Sequence, residues 1–134
     1  MQGLHLTADL RGCAATRPAM TETAALRTIC LDAIERAGLS AVGELFHRFV
    51  PSPHAQGAQG APGAQGAPSG ITGVVLLAES HLAVHTWPEL EAVTLDVYVC
   101  NLGTDNSARA EALMNSLVAA FAPARIERHA QRRG

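Results

Sequence analysis

The chain contains no lysine; its ten basic residues are all arginines. An internal Schiff base to pyridoxal phosphate is therefore excluded, and any chemistry on amines must draw its carbonyl from elsewhere. Cysteine is scarce and odd in number. Cys13, Cys30 and Cys100 have no metal-type spacing, which predicts free thiols in a reducing cytoplasm. No apolar run approaches the roughly 18 residues of a membrane span. No cationic stretch followed by an apolar core opens the chain, so no secretory signal is expected. Neither sign of charge dominates: the net charge is −2 and the pI about 6.3. That balance supplies no basic field for nucleic acid or an anionic membrane. Aromatic residues make up only 4%, so Phe49 and Trp87, both close to the densest polar motif, stand out.

What is present is a globular composition, 48% apolar over 134 residues. That is enough for one domain with a core, spanning 1–134, and too little for two. Residues 4–10 (LHLTADL) alternate, with Leu4, Leu6, Ala8 and Leu10 on one side and His5, Thr7 and Asp9 on the other, as in a half-buried strand. Residues 21–37 read as a helix, with Leu26, Ile29, Cys30, Ala33, Ile34 and Ala37 on one stripe and Gly38 as its stop. Residues 40–50 form a less regular strand. Residues 52–69 are dominated by Gly, Ala, Gln and Pro, and GAQGAP occurs twice within them. Such a segment buries too little side chain to offset its ordering entropy and reads as a flexible insert.

Strands are expected at 71–78 and 93–100. In the latter, Val93, Leu95, Val97 and Val99 oppose Thr94, Asp96, Tyr98 and Cys100. A helix is expected over 107–121 and a short last strand over 125–129. The order predicts an α+β fold, a two-layer sandwich of a mostly antiparallel sheet with two helices on one face. The polar strand faces bearing His5, Asp9, Asp96, Tyr98 and Cys100 then lie opposite the helices.

The chemistry concentrates in residues 79–89, ESHLAVHTWPE, which hold Ser80, His81, His85, Glu79, Glu89 and the one tryptophan. Spacing alone leaves several readings open. His81 and His85 would share a strand face and could bind a metal, but HExxH is absent and no third ligand follows. Ser80, a histidine and a carboxylate permit a hydrolase triad, without the G-x-S-x-G elbow. An ordinary strand end with polar caps accounts for the same residues.

The segment resembles the processing site of the prokaryotic S-adenosylmethionine decarboxylase proenzymes. GLHLTADL at 3–10, FHRFVP at 46–51, ITGVVLLAESHLAVHTWPE at 71–89 and LDVYVC at 95–100 all follow the family pattern. So do the five residues from Ser80 to His85 and the twenty from Ser80 to Cys100. The resemblance covers nearly the whole chain outside the insert.

It implies that Ser80 attacks the carbonyl of Glu79, cutting the chain into a 1–79 β chain and an 80–134 α chain whose first residue becomes a pyruvoyl group. His85 is implied as proton acceptor, Thr72 as a helping hydroxyl, and Cys100 as the donor that reprotonates product after decarboxylation through a Schiff base. Phe49 is implied to hold the adenine and Glu89 the ribose hydroxyls; Trp87 offers a second aromatic face suited to adenine or sulfonium, or equally a core anchor beside Pro88. A symmetric homodimer, a substrate of S-adenosylmethionine and a place in spermidine synthesis complete the expectation, with no metal.

The chain departs from the pattern after the cysteine, where CNLGTDN replaces a glycine that commonly follows, and in the 52–69 insert. These departures leave a pyruvoyl-dependent ornithine or arginine decarboxylase as an alternative. A non-catalytic regulatory homologue would be marked by loss of Ser80, His85 or Cys100, and all three are present.

Overall fold

A computed structural model describes residues 2–49 and 69–134. All but Ser69 of the expected insert lies outside them. Among the described residues, six strands form one antiparallel sheet: β1 (Gly3–Arg11), β2 (Gly43–Arg48), β3 (Ile71–Leu77), β4 (Ser80–Trp87), β5 (Ala92–Cys100) and β6 (Arg125–Arg133). Their order is β2-β3-β4-β5-β1-β6. Three helices accompany them: α1 (Pro18–Thr21), α2 (Thr23–Arg36) and α3 (Ser107–Phe121). A 3-10 turn, Pro88–Leu90, joins β4 to β5.

Alternation builds the two layers. Leu4, Leu6, Ala8 and Leu10 of β1, Leu82 and Val84 of β4, and Val93, Leu95, Val97 and Val99 of β5 are buried in one cluster with Leu26, Cys30 and Ile34 of α2 and Leu113, Leu117 and Phe121 of α3. Their strand neighbours face the other way and are only partly covered. The sheet thus carries its helices on one side, as the α+β two-layer expectation has it.

Three local details differ from expectation. The first helix is two: Pro18 opens α1, and Glu22 is extended (φ −113°, ψ 116°) before α2 begins. β4 is one continuous strand from Ser80, because His81, Ala83 and His85 alternate with Leu82, Val84 and Thr86. β6 runs to Arg133, paired among the described residues with β1 alone, and every residue of it is exposed.

One buried polar side chain ties the layers. The Thr86 hydroxyl donates to the Met20 carbonyl at 2.8 Å and accepts the Ile71 N–H at 2.9 Å. It joins α1, β3 and β4 behind the site described next.

Candidate active site

The candidate side chains fall into two groups at opposite ends of β4. The first is at the β3–β4 turn. Leu77 pairs with Ser80, leaving only Ala78 and Glu79 to reverse the chain. Ala78 does so at φ +60°, a left-handed conformation that costs an L-residue with a side chain about 1–2 kcal/mol. Glu79 is exposed and Ser80 half-buried. The Ser80 Oγ accepts the Cys100 backbone N–H at 3.0 Å. The two residues, twenty apart in sequence, meet because β4 and β5 are neighbouring antiparallel strands.

The Cys100 Sγ accepts the Leu102 N–H at 3.5 Å and is partly accessible. The other thiols are buried. Burial pushes Cys30 up to about 12 and raises Cys13 as well, against Arg17. Among the three cysteines, Cys100 is the accessible one.

The second group is at the far end of β4. Thr72 pairs across strands with His85, and Thr72 Oγ1 lies 3.1 Å from His85 Nδ1. His85 stacks on Trp87, with ring centroids 6.2 Å apart at 27°. Trp87 meets Phe49 at 5.6 Å, and Phe49 is held by its N–H on the Gly70 carbonyl at 2.8 Å. Glu89 follows in the 3-10 turn, exposed. Thr72, His85, Trp87 and Phe49 therefore gather as one polar and aromatic end, with Glu89 in the turn that follows it.

These two ends are well separated in a single chain. Five residues along a strand at about 3.3 Å each put Ser80 about 16 Å from His85. Parity separates them further: His85 is on the open face, whereas Ser80 shares the phase of Leu82 and Val84. Ser80 and His85 of one chain do not form the hydrogen-bonded pair a hydrolase triad needs. His81 shares the open face with His85, as its spacing implies, and its ring lies 5.6 Å from that of Tyr98.

Between the ends, the open face carries residues the sequence motifs did not single out as a site. His5 Nε2 is 3.1 Å from Asp96 Oδ1, and the Arg133 guanidinium lies over the Tyr98 ring at 5.5 Å. Tyr98 lies across Gly3, where an added Cβ would sit 2.5 Å from the hydroxyl. Gly3 is the strand partner of Cys100, and its lack of a side chain leaves room for the Tyr98 ring. Strand pairing, not sequence proximity, assembles this cluster. Alternation had assigned His5, Asp96 and Tyr98 to the correct face.

Comparison with known proteins is consistent across sequence and structure. Residues 4–134 match the family model described as S-adenosylmethionine decarboxylase. The S-adenosylmethionine decarboxylase proenzyme of Aquifex aeolicus is 33% identical over 132 residues, which cover 98% of this chain and 81% of that protein. That of Persephonella marina is also 33% identical, over 98% of this chain and 82% of its own. The crystal structure of the adenosylmethionine decarboxylase from Aquifex aeolicus superposes with a TM-score of 0.77 at 30% identity, covering 98% of this chain and 90% of that one.

Proposed function

The chain belongs to the S-adenosylmethionine decarboxylase family, and on that premise we propose that it decarboxylates S-adenosylmethionine with a pyruvoyl group it makes from Ser80. The contact that carries the reading is the Cys100 N–H on Ser80 Oγ, beside the turn that contains the Glu79–Ser80 bond. The product would supply an aminopropyl donor for spermidine synthesis. Free thiols at all three cysteines fit a reducing cytoplasm.

Self-processing follows from the residues at that turn. Ser80 Oγ adds to the Glu79 carbonyl carbon and the peptide C–N bond breaks, leaving an ester and a free amine on residue 80. A base removes the Ser80 α-proton; the Oγ–Cβ bond breaks, and Oγ leaves within the Glu79 carboxylate. Water then converts the dehydroalanine to a pyruvoyl group and releases ammonia. The left-handed Ala78 supports processing, because strain in the turn is relieved on cutting.

The base is an imidazole, and geometry governs whose. With about 16 Å between Ser80 and His85 along β4, the partner's His85 in a symmetric dimer serves the reaction. A two-fold axis near the middle of β4, with open faces together, brings each Ser80–Cys100 end to the other copy's Thr72–His85–Trp87 end. Such a dimer also covers Leu45 and Leu76, which are 73% and 50% exposed on that face. It holds two sites, each drawing on both chains.

The pyruvoyl carbonyl supplies the electron sink for losing carbon dioxide from an amino acid. The protein's own residues bind and protonate. Trp87 and Phe49 offer faces to the adenine and the sulfonium cation, and Glu89 accepts the ribose hydroxyls. The partly accessible Cys100 thiol delivers the proton to product carbon. Thr72 holds His85 by the Oγ1–Nδ1 contact.

Intact-mass analysis with a radiometric assay tests the reading. The purified chain should appear as fragments of 79 and 55 residues, since cutting after Glu79 of 134 residues leaves 55. The smaller should lack a free amine, and carbon dioxide should be released from S-adenosylmethionine. Ser80→Ala should stay whole and inactive. Release from ornithine or arginine instead would move the substrate while keeping the chemistry. Turnover by an uncut chain, or by Ser80→Ala, would end the reading.

A further inference from the structure

The segment after Cys100 is organised by side chains. The Asn101 N–H donates to the Gln2 carbonyl at 2.8 Å. Asn101 Oδ1 accepts the Asn106 N–H at 2.8 Å, and its Nδ2 donates to Ser107 Oγ at 3.0 Å. Asn106 Nδ2 donates to the Cys100 carbonyl at 2.9 Å, and its Oδ1 accepts from Arg109 at 2.8 Å. Asp105 Oδ1 takes the Ser107 N–H at 2.9 Å, which holds that carboxyl below its usual range. A glycine at 101 could make neither of the Asn101 side-chain bonds.

This web converges on one residue. The Cys100 N–H is committed to Ser80 Oγ and the Cys100 carbonyl to Asn106. The peptides on both sides of the cysteine are therefore fixed, one by the reacting serine and one by the asparagine.

We propose that Asn106, seated by Asn101, is a positioning residue for self-processing that holds the Cys100 backbone so its N–H stays on Ser80 Oγ. The proposal rests on the self-processing reading above. Its physical basis is the elimination step, in which the Oγ–Cβ electron pair moves onto Oγ as it departs in the Glu79 carboxylate. Negative charge grows on the atom that the Cys100 N–H already touches. Loss of one preset donor from a developing oxyanion costs on the order of 10²–10³ in rate. Loosening the donor rather than deleting it should cost about tenfold to a hundredfold.

The test uses the full chain with Asn106→Asp, Asn106→Ala, Asn101→Asp and Asn101→Ala, followed by timed intact mass with a hydroxylamine quench. Hydroxylamine cuts an ester at Glu79 and spares the amide. Asn106→Asp is close in shape and keeps Oδ1 for Arg109, but cannot donate to the Cys100 carbonyl as a carboxylate. It and Asn106→Ala should be cut about tenfold to a hundredfold more slowly, with the hydroxylamine-sensitive form accumulating. Asn101→Asp retains the Oδ1 acceptor for Asn106 and should run near the parent rate, while Asn101→Ala follows Asn106→Ala. Parental rates in both Asn106 variants would overturn the proposal. So would slowing without ester, or equal slowing of Asn101→Asp and Asn101→Ala, either of which marks a general loop defect. A parent chain that never cuts would sink the underlying reading first, before any variant is compared.

Discussion

Ala78 is the residue where conformation and chemistry meet most closely. It occupies φ +60° one residue before Glu79, a geometry that glycine adopts without a side-chain penalty. Ala78→Gly removes about 1–2 kcal/mol of strain and adds roughly 0.5–1 kcal/mol of chain entropy to be lost on folding. The uncut chain should thus be slightly more stable, and self-cleavage about two- to fivefold slower if most of the net relief comes off the ground state. Timed mass spectra would measure the cutting, and melting curves in a Ser80→Ala background the stability. A faster-cutting Ala78→Gly would show that the turn's strain opposes the reaction. Ala78 carried no signal in the sequence, because nothing in LLAES reveals a two-residue turn. Ser80, His85 and Cys100 were singled out by the family resemblance of the long motif around them, since their spacing alone leaves several readings open.

At the scale of elements, regular alternation decided what could be read. β1 and β5 have apolar and polar residues in strict turn, and α3 buries Ala110, Leu113, Met114, Leu117, Val118 and Phe121 on one stripe. β2 was blurred because Phe46 packs towards the helices while its neighbour Leu45 projects from the open face, so apolar residues occur in both phases. β6 had almost no burial pattern to read, as it is an edge held by backbone pairing. Its four arginines, Arg125, Arg128, Arg132 and Arg133, repel a second copy of the same strand and discourage edge-to-edge association.

Thr86 shows how one polar residue joins elements. Thr86→Val leaves the Ile71 N–H and Met20 carbonyl without the hydroxyl that now serves both. The expected cost is about 2–3 kcal/mol, a fall in melting temperature on the order of 10 °C. Thermal unfolding followed by circular dichroism would measure it, and an unchanged midpoint would show that the two backbone groups find other partners.

For the molecule as a whole, the two ends of β4 predict division of labour between copies. Ser80→Ala and His85→Ala chains, each tagged differently, should both stay uncut when expressed alone. Expressed together, the His85→Ala chain should be cut, because it retains Ser80 and meets an intact imidazole on its partner. Fragments should carry only the His85→Ala tag. A mixture that remains whole would place the base within the same chain and require the site to rearrange. This division was not legible in the sequence: the five-residue spacing from Ser80 to His85 suggests proximity, and only their position on one extended strand turns it into separation.

On the proposed self-processing, the strand order has a consequence for the mature protein. Cutting after Glu79 assigns β1, β2 and β3 to one fragment and β4, β5 and β6 to the other, yet β1 lies between β5 and β6. Three of the five strand pairings then hold separate polypeptides together, β3 with β4, β1 with β5 and β1 with β6. The fragments are threaded through each other's sheet and remain joined without a covalent link. Assembly before the cut is a first-order event in one chain. After it, recovery from denaturation becomes a second-order search between two pieces and depends on concentration.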